Sequence, residues 1–291
     1  MPKVSVCMYT KNRAHWLPES IGSILAQKGV VELEILILND GSTDATQQVL
    51  DQYRNDARFR LFQRGDPHLF SLATGDYVCS LPDDDRLLGD DSLVRRARVL
   101  EQNPSLAFVF SPIMGHSADG TSRGLLGMGL VSKEDKLSGA APFNSLFLDC
   151  FVPWPSGLFR RSIAPDFDEG YPSEGILCRD WFWWQKLSRL GDAAFLVQPT
   201  ASLRCHDGQM SNTIGFKQGG FLRAHLDIWR YWIEKQGHRP TANDWHYMRS
   251  TAANLVTQQH KQSPAEIRAQ ALGEAFEEMD TFKPKEINAL A

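Results

Sequence analysis

Five short apolar runs, separated by segments with helical patterning, constrain the fold of the first 110 residues more than any other feature. The runs lie at 4–9, 33–38, 60–62, 76–81 and 107–110. Helices are predicted between them because apolar side chains recur on one face, as Leu17, Ile21 and Ile24 do after the first run. Further helices are predicted from Ala45 to Tyr53 and from about Asp91 to Asn103. Strands that alternate with helices predict an α/β fold with a mostly parallel central sheet flanked by helices.

The rest of the chain divides into three parts by composition. Residues 112–150 are glycine-rich and predict a mobile loop region within the domain. Residues 151–211 return to an aromatic-rich α/β pattern. From Phe216 to the end the pattern predicts two or three amphipathic helices, with breaks near Gly237–Pro240 and Ser263–Pro264.

Charge and cysteine content exclude several classes of protein. The net charge of −4 lacks the basic surface of a nucleic-acid binder, so no nucleic-acid partner is expected. The five cysteines are widely spaced, which argues against a disulfide framework or a zinc site. No apolar stretch approaches the roughly 20 residues that span a bilayer, and the first residues show no signal-peptide pattern. We expect a cytoplasmic protein, with a peripheral position at the inner face of the membrane left open.

Three consecutive carboxylates, Asp83, Asp84 and Asp85, follow the fourth apolar run directly. They repel one another unless something neutralises them. Mg²⁺ or Mn²⁺, held by one or two carboxylates and by substrate phosphates, would do so. The alternative is a solvated acidic turn, or an acidic cluster at a helix N-terminus that the helix dipole favours.

A second polar loop, from Asn39 to Asp44, ends the second apolar run. In a parallel sheet this loop lies at the edge where ligands bind, beyond the carboxyl ends of the strands. The carboxylate of Asp40 is therefore placed to accept a hydrogen bond from a base or a ribose. The alternative is an Asx turn that caps the following helix.

The order and spacing of three segments resemble the family 2 glycosyltransferases of the GT-A fold. The segments are Thr10–Arg13, Glu34–Asp44 and Gly75–Asp85. The resemblance covers about the first 110 residues and continues more weakly to about residue 211. It implies an inverting, metal-dependent enzyme that moves a sugar from a nucleotide diphosphate to a hydroxyl group.

The resemblance also implies roles for individual residues at the nucleotide. Thr10, Asn12 and Arg13 would line the nucleotide, with Thr10 and its neighbours contacting the base through the backbone. Asp40 matches the carboxylate that contacts uracil, which favours UDP, and Asp83 would lie near the ribose and the metal. The metal ligands of the D-x-D motif, for Mn²⁺ or Mg²⁺, would be Asp84 and its neighbour Asp85.

Two further candidates lie beyond the strongest match. Asp180 opens an aromatic-rich helix and resembles the family's catalytic base, with Trp183, Leu187 and Leu190 forming a buried stripe. The alternative is an N-terminal aspartate stabilised by the helix dipole. His206 precedes a loop where family members often place a histidine, so it would complete the metal shell or bind a phosphate oxygen. Its alternative is a structural role.

Aromatic side chains suggest where the acceptor binds. Trp154 and Trp181 are candidates for an acceptor wall, because aromatic faces pack well on sugar rings. Core packing is the alternative, and it is favoured for Trp183 and Trp184.

A stripe of apolar side chains in the C-terminal helices either packs on the rest of the protein or on a second subunit, or contacts a membrane surface. Packing is favoured. The stripe consists of Phe221, Leu222, Leu226, Trp229, Trp232 and Ile233.

The sequence departs from the family pattern at two places. Asn39 stands where family members often carry Asp. The segment from Arg64 to Thr74 is short and lacks an Ala-Arg-Asn motif that normally helps to hold the donor. Arg64 or His68 is the candidate that would replace it as the cation near the diphosphate.

The predicted activity is therefore that of a hexosyl- or N-acetylhexosaminyl-transferase. Its acceptor would be a glycan, a lipid-linked sugar or a protein, in the setting of polysaccharide biosynthesis. The predicted catalytic domain is 1–215, with a nucleotide-binding half at 1–110, an acceptor-binding half at 111–215 and a helical extension at 216–291; a homo-oligomer stays open. The alternatives are a non-catalytic nucleotide- or glycan-binding module and, disfavoured by the lack of a glycine-rich loop after the first strand, a sugar-nucleotide pyrophosphorylase.

Overall fold

A computed structural model describes residues 2–29, 32–126, 136–137, 140–167, 169–175, 177–285 and 287. The strands within these residues are β1 (Lys3–Thr10), β2 (Glu32–Asn39), β3 (Phe59–Gln63), β4 (Tyr77–Ser80), β5 (Arg86–Leu87), β6 (Leu106–Phe110), β7 (Ile113–Ser117), β8 (Ser122–Leu126), β9 (Lys136–Leu137), β10 (Leu158–Arg160), β11 (Asp192–Phe195) and β12 (Ala201–Cys205). The five predicted strands are confirmed as β1, β2, β3, β4 and β6.

The α-helices lie both between the strands and after the last of them. They are α1 (Leu17–Leu25), α2 (Thr46–Asp51), α3 (Leu69–Leu72), α4 (Ser92–Gln102), α5 (Ala140–Leu148), α6 (Arg179–Ser188), α7 (Gly220–Arg230), α8 (Ala242–Gln259) and α9 (Ala265–Thr281). Thr241 and Asp244 form a capping box at the start of α8, and Pro264 precedes α9. The breaks predicted in the C-terminal helices are therefore confirmed.

The central sheet has eight strands within the described residues, in the order β3-β2-β1-β4-β10-β6-β11-β9. β3, β2, β1 and β4 are parallel neighbours, as predicted, and β10 runs antiparallel between β4 and β6. One face of β1 carries Val4, Val6 and Met8 into a core that α1 covers with Leu17 and Ile21, all without exposed surface. Burial of each such side chain contributes about 1.5–3 kcal/mol.

The prediction of an irregular loop over residues 112–150 is wrong for the part that is described. β7 and β8 form an antiparallel hairpin there, and β7 pairs with β12 in a second sheet of order β5-β12-β7-β8. Three of the glycines, Gly115, Gly120 and Gly124, belong to the hairpin: a Cβ on Gly115 would lie 3.0 Å from the Leu126 side chain, and Gly120 turns the chain at φ 87°. Glycine content is typical of a loop, so a strand that needs glycine for close packing was misread. Residues 127–135 lie outside the described residues.

The chain forms two compact units. The sheet unit comprises Met1–Phe143, Phe151–Phe167 and Trp184–Cys205, and the helical unit comprises Asn144–Cys150, Asp168–Trp183 and His206–Ala291. This division differs from the predicted 1–215 and 216–291, because segments before residue 184 belong to the helical unit. None of the helices that the structure describes has the length and apolar character needed to cross a membrane.

The C-terminal aromatic stripe packs inside the helical unit. Leu226, Trp229, Trp232 and Ile233 are at most 5% exposed, and Trp229 Nε1 donates a hydrogen bond to the Phe147 carbonyl at 2.9 Å. These four side chains therefore pack as the favoured alternative predicts, whereas Phe221 and Leu222 are half-buried.

Candidate active site

The predicted ligand edge is formed by the carboxyl ends of four parallel strands. Thr10 at the end of β1 pairs with Asn39 at the end of β2, which pairs in turn with Gln63 at the end of β3. β4 reaches the same side, because Cys7 pairs with Ser80 one residue before Leu81. The loops that follow β1, β2 and β4 therefore meet at one edge of the sheet, as the sequence predicts.

Asn12 holds the loop after β1 against the loop after β2. Its φ of 55° is left-handed, a conformation that asparagine tolerates better than most residues. Its side-chain Oδ1 accepts the Thr43 N–H at 2.7 Å, and its own N–H donates to Ser42 Oγ at 2.9 Å. Asn12 thus positions both loops, whereas the resemblance predicted a contact with the nucleotide, which stays a prediction.

The side chain that stabilises the loop after β2 belongs to Asn39, whereas the sequence offered this role to Asp40. Asn39 Oδ1 accepts the Ser42 N–H at 3.0 Å while its Nδ2 donates to Gln47 at 2.9 Å. An aspartate cannot make both bonds, since it lacks the N–H donor. The departure from the family pattern at this position therefore has a structural use, and the Asp40 carboxylate is not needed for the turn.

Asp40 lies between two cations at the edge. Arg64 Nε donates to its Oδ1 at 2.6 Å, and Lys11 Nζ lies 3.6 Å from its Oδ2. The hydrogen bond from Arg64 holds the pKa of Asp40 below its usual value. Arg64 therefore reaches the predicted nucleotide edge, although in this structure it contacts Asp40.

The ring of His68 lies beside that of Tyr9, near the end of β1, with ring centroids 5.2 Å apart. His68 caps α3, its Nδ1 accepting the Phe70 N–H at 3.3 Å, and its ring stacks on Phe167 with centroids 4.5 Å apart. Its predicted role as a substitute diphosphate contact stays a prediction.

The three acidic residues after β4 differ in their surroundings. Asp83 is 9% exposed, and its Oδ1 lies 3.7 Å from Arg13 Nε. Burial, and then the charge of Asp84, raise the pKa of Asp83 to about 6. Asp85 is 1% exposed, and burial together with the charge of Asp84 raises its pKa well above the usual value. Asp84 is half-buried. The triplet is therefore not the fully solvated acidic turn of the alternative interpretation.

Two residues that the sequence did not single out hold this acidic loop. Arg204, in β12, donates its backbone N–H to Asp85 Oδ1 at 2.9 Å and its Nε to the Asp84 carbonyl at 3.0 Å. Ser20, in α1, donates its hydroxyl to the carbonyls of Asp83 and Asp85. Arg204 is 119 residues from Asp85 in the chain, so no local pattern could reveal the contact.

Asp180 lies in the first turn of α6, within the helical unit. It is half-buried, and burial raises the pKa of its carboxyl above the usual value, although the Trp181 backbone N–H opposes the shift. A raised pKa suits a group that must accept a proton. The predicted stripe beside it is only partly correct: Trp183 and Leu187 are buried, but α6 ends at Ser188 and Leu190 is 52% exposed.

Trp181 is not an acceptor-binding residue. It has no exposed surface, its Nε1 donates to the Leu146 carbonyl, and its ring packs against His225 at 4.4 Å and Trp229 at 6.4 Å. A fully covered ring has no face left for a sugar. The core-packing alternative is therefore correct here.

Trp154 remains a candidate for the acceptor side. It is half-buried in a short 3-10 turn of the sheet unit and packs against Phe70 at 5.9 Å and Phe167 at 5.8 Å. Trp184 packs beside Trp154 and is a core residue, as predicted. Its ring lies so close to Gly157 that a Cβ on residue 157 would be 2.3 Å from it.

His206 follows β12 directly and belongs to the helical unit. Its N–H donates to Gln209 Oε1 at 3.2 Å, and its carbonyl accepts from Asn212 Nδ2 at 3.1 Å. These bonds define the turn around His206. Its role as a metal ligand stays a prediction.

A family model for glycosyl transferase family 2 matches residues 5–164, more than half of the 291 residues. The chain belongs to glycosyl transferase family 2. The family match includes the loops after β1, β2 and β4 and ends before Asp180 and His206, so the roles of these two residues rest on the resemblance alone.

A curated relative matches the chain at low identity. The uncharacterized protein Rv1520 of Mycobacterium tuberculosis is 22% identical over 250 residues, which are 81% of this chain. The chain spans about 65% of the length of this relative.

Two solved structures share the fold. Residues 1–349 of TarS from S. aureus, in complex with UDP, match with a TM-score of 0.63 and 17% identity, over 99% of this chain and 83% of that chain. A mannosyltransferase from Pyrobaculum calidifontis, in complex with GDP-Man and Mn²⁺, matches with a TM-score of 0.53 and 15% identity, over 99% of this chain and 78% of that one. At these identities the likeness establishes the fold, and the predicted α/β architecture of the GT-A type is confirmed.

The side chains of the acidic loop, Asp83–Asp85, can be compared with the ligands needed by the divalent cation that the family resemblance implies. Asp85 Oδ2 is buried and has no hydrogen-bond partner, an arrangement that a cation would stabilise. Among the described residues, no three or more His, Cys, Asp or Glu side chains are grouped so as to hold a metal by themselves. The loop therefore fits a cation that takes one or two carboxylates from the protein and its other oxygens from the substrate.

Proposed function

We propose that this family 2 member transfers a hexosyl or N-acetylhexosaminyl group from a nucleotide diphosphate to a hydroxyl group of a glycan, lipid-linked or protein acceptor. The observation that carries the proposal is the loop after β1. Its Lys11 contacts Asp40, and its Arg13 contacts Asp83, at 3.6 and 3.7 Å. One loop thus joins the carboxylate proposed for the base to the carboxylate proposed for the ribose and metal.

The proposed donor is a UDP-sugar. Asp40 stands at the position that matches the uracil contact, and Arg64 and Lys11 supply positive charge beside it. The TarS structure with UDP supports this choice. Because the mannosyltransferase structure contains GDP-Man, GDP is also included in the binding experiment below.

The proposed cofactor is Mn²⁺ or Mg²⁺, with Asp84 and Asp85 as its protein ligands. When bound, the cation stabilises the negative charge that develops on the departing diphosphate. Arg204 and Ser20 keep the acidic loop in place, and Arg13 lies beside Asp83. The Mn²⁺ in the mannosyltransferase structure supports divalent metal use.

The proposed general base is Asp180. It would take the proton of the acceptor hydroxyl as that oxygen attacks the sugar carbon from the face opposite the diphosphate, which inverts the configuration. The two substrates would be held in line by the protein, so that a bimolecular reaction proceeds within one complex.

The buried thiols of Cys7 and Cys79 are compatible with a reducing, cytoplasmic setting.

The test is calorimetry and thermal unfolding with UDP, GDP, dTDP and CDP, each with Mn²⁺, Mg²⁺ or EDTA. We expect UDP to bind only with metal, and a ligand at a hundredfold excess over its Kd to add about 2.7 kcal/mol of stability. Asp85→Asn keeps an oxygen that can accept the backbone N–H of Arg204, but the protein should lose its metal-dependent binding of the nucleotide. The control is Asp90→Asn, an exposed acid that pairs with Lys28 at 2.7 Å. Binding of no nucleotide under any condition would contradict the proposal and favour a glycan-binding module.

A further inference from the structure

Glu19, an acid outside the acidic loop, binds two arginines that lie beside that loop. It stands in the first turn of α1. Its Oε1 accepts a hydrogen bond from Arg86 Nη1 at 2.6 Å, and its Oε2 accepts one from Arg204 Nη2. Each oxygen of the carboxylate is therefore taken by a different guanidinium. The helix dipole favours an acid in this turn, but it does not account for two arginine partners that come from β5 and β12.

The same two arginines contact or adjoin the carboxylates proposed to hold the metal. Arg86 follows Asp85 directly in the chain. Arg204 donates its backbone N–H to Asp85 Oδ1 at 2.9 Å and its Nε to the Asp84 carbonyl at 3.0 Å. The Arg204 side chain is only 5% exposed, so its charge is weakly screened by solvent. A guanidinium released from Glu19 would therefore have the carboxylates of the acidic loop within its reach.

Trp16 and Glu19 together hold Arg204 in its observed orientation. The ring centroid of Trp16 lies 4.0 Å from Cζ of Arg204, so the guanidinium packs on the indole face. The Glu19 N–H donates to the Trp16 carbonyl at 3.1 Å, which fixes the two residues relative to each other at the start of α1. In this orientation Nη2 of Arg204 meets Glu19 while its Nε meets a main-chain carbonyl of the acidic loop. All these residues belong to the sheet unit.

Arginine and a divalent cation compete for the same ligand atoms. Mg²⁺ and Mn²⁺ are bound through carboxylate oxygens, and a guanidinium binds the two oxygens of a carboxylate with a matching fork of N–H donors. If Glu19 were neutral, Arg86 and Arg204 would have no other acidic partner among the hydrogen bonds that hold them here, and the carboxylates of Asp84 and Asp85 would attract both.

We propose that Glu19 is a positioning residue for the metal site. By binding Arg86 and Arg204, it keeps both guanidinium groups off the carboxylates of Asp84 and Asp85 and leaves these oxygens to a divalent cation. The inference rests on the metal site of the proposed function. It assigns to α1 a role in metal affinity that requires no contact between Glu19 and the metal.

Mn²⁺ binding tests the inference directly. Free Mn²⁺ is measured by electron paramagnetic resonance in titrations of wild type and Glu19→Gln, each with and without UDP. Because Glu19→Gln keeps the length of the side chain and removes its charge, we expect Mn²⁺ to bind roughly tenfold more weakly, as when groups that orient metal ligands are lost. The control is Glu32→Gln, which breaks the ion pair of another glutamate of the sheet unit, with Lys3 at 2.6 Å, and should leave Mn²⁺ affinity unchanged.

A second substitution separates positioning from a general contribution to the fold. Glu19→Gln combined with Arg86→Gln removes one of the two released guanidinium groups. Mn²⁺ should then bind about threefold or more tightly than in Glu19→Gln alone, since residues in one ion-pair network are coupled. If Glu19 only stabilised the fold, removal of its partner as well would restore nothing. Urea unfolding in EDTA measures the stability of each metal-free variant.

The outcomes separate this inference from the proposed function. If wild type binds Mn²⁺ and Glu19→Gln binds it equally well, or if the double variant recovers no affinity, the inference is overturned and the metal site stands. A Glu19→Gln protein that does not fold also overturns it, because a carboxylate that only keeps two arginines aside is not needed for folding. Failure of wild type to bind Mn²⁺ with or without UDP would overturn the proposed metal site, and this inference with it.

Discussion

At the scale of single residues, neighbours in the sequence have taken different roles. Asn39 makes the turn and Asp40 faces the two cations, and Trp181 is covered while the preceding Asp180 is half-buried. An aspartate in the first turn of a helix is stabilised by the dipole whatever its function. The pKa of Asp180 is raised by burial, and stabilisation by the helix dipole alone would not require this.

Asp180→Asn should lower kcat by roughly a hundredfold to ten-thousandfold, the range for loss of a general base, while leaving nucleotide affinity unchanged. Burial raises the pKa of Asp180, so in the wild type kcat should increase with pH through a value above the 3.8 of an ordinary aspartate. The measurement is a pH profile of sugar transfer, with exposed Glu174→Gln as the control. Near wild-type kcat in the variant would show that Asp180 is not the base. So would a wild-type pH profile in which kcat rises at the pKa of an ordinary aspartate.

At the scale of elements, one buried carboxylate connects β1, β2, β3 and the start of β4. Glu34 in β2 accepts Ser5 Oγ at 2.5 Å, the Thr74 N–H at 2.8 Å and Arg60 NH1 at 2.7 Å. Burial alone would raise the pKa of Glu34, but these three hydrogen bonds hold it below its usual value. Glu34 itself is 7% exposed, whereas the side chain of its partner Arg60 is 39% exposed.

Glu34→Gln should destabilise the protein by about 1–2 kcal/mol at pH 7, because charge-assisted hydrogen bonds are lost while Arg60 stays partly accessible to solvent. A lowered pKa stabilises the fold above the unfolded value of about 4.3, and this stabilisation is lost as the pH falls through the folded pKa. The difference in free energy of unfolding between wild type and variant should therefore shrink below about pH 4. Urea unfolding at pH 7, 5 and 3.5 measures it, with exposed Glu32→Gln as the control. An equal difference at all three values would show that the charge of Glu34 does not stabilise the fold.

At the scale of the whole molecule, two units with different architectures share one chain. The sheet unit carries the family match and the acidic loop, and the helical unit carries Asp180 and His206. Within the helical unit, Arg223 and Arg230 of α7 both donate to Glu278 of α9. This shared acceptor links the two helices.

Glu278→Ala should lower the free energy of unfolding by about 1 kcal/mol, since the pairs are partly exposed and screened by solvent. The matched control is Glu277→Ala, which removes an exposed glutamate from the same helix and has the same effect on helix propensity. Urea unfolding followed by tryptophan fluorescence compares the two variants. Equal stability of the two variants would mean that the Glu278 pairs contribute nothing measurable.

The sequence by itself determined the alternation of strands and helices, the parallel sheet, the edge at which polar loops meet and the family. These follow from short-range periodicity, because strand and helix repeats place apolar side chains on defined faces within a few residues. The tertiary structure alone decided that Arg204 and Ser20 hold the acidic loop, that Trp181 is covered and that His68 packs on Phe167. Such contacts join residues that are 63 to 119 positions apart or depend on complete burial, and local patterns carry no information about either. The glycine-rich hairpin of β7 and β8 was missed for the same reason, since the close packing that requires glycine exists only once the second sheet has formed.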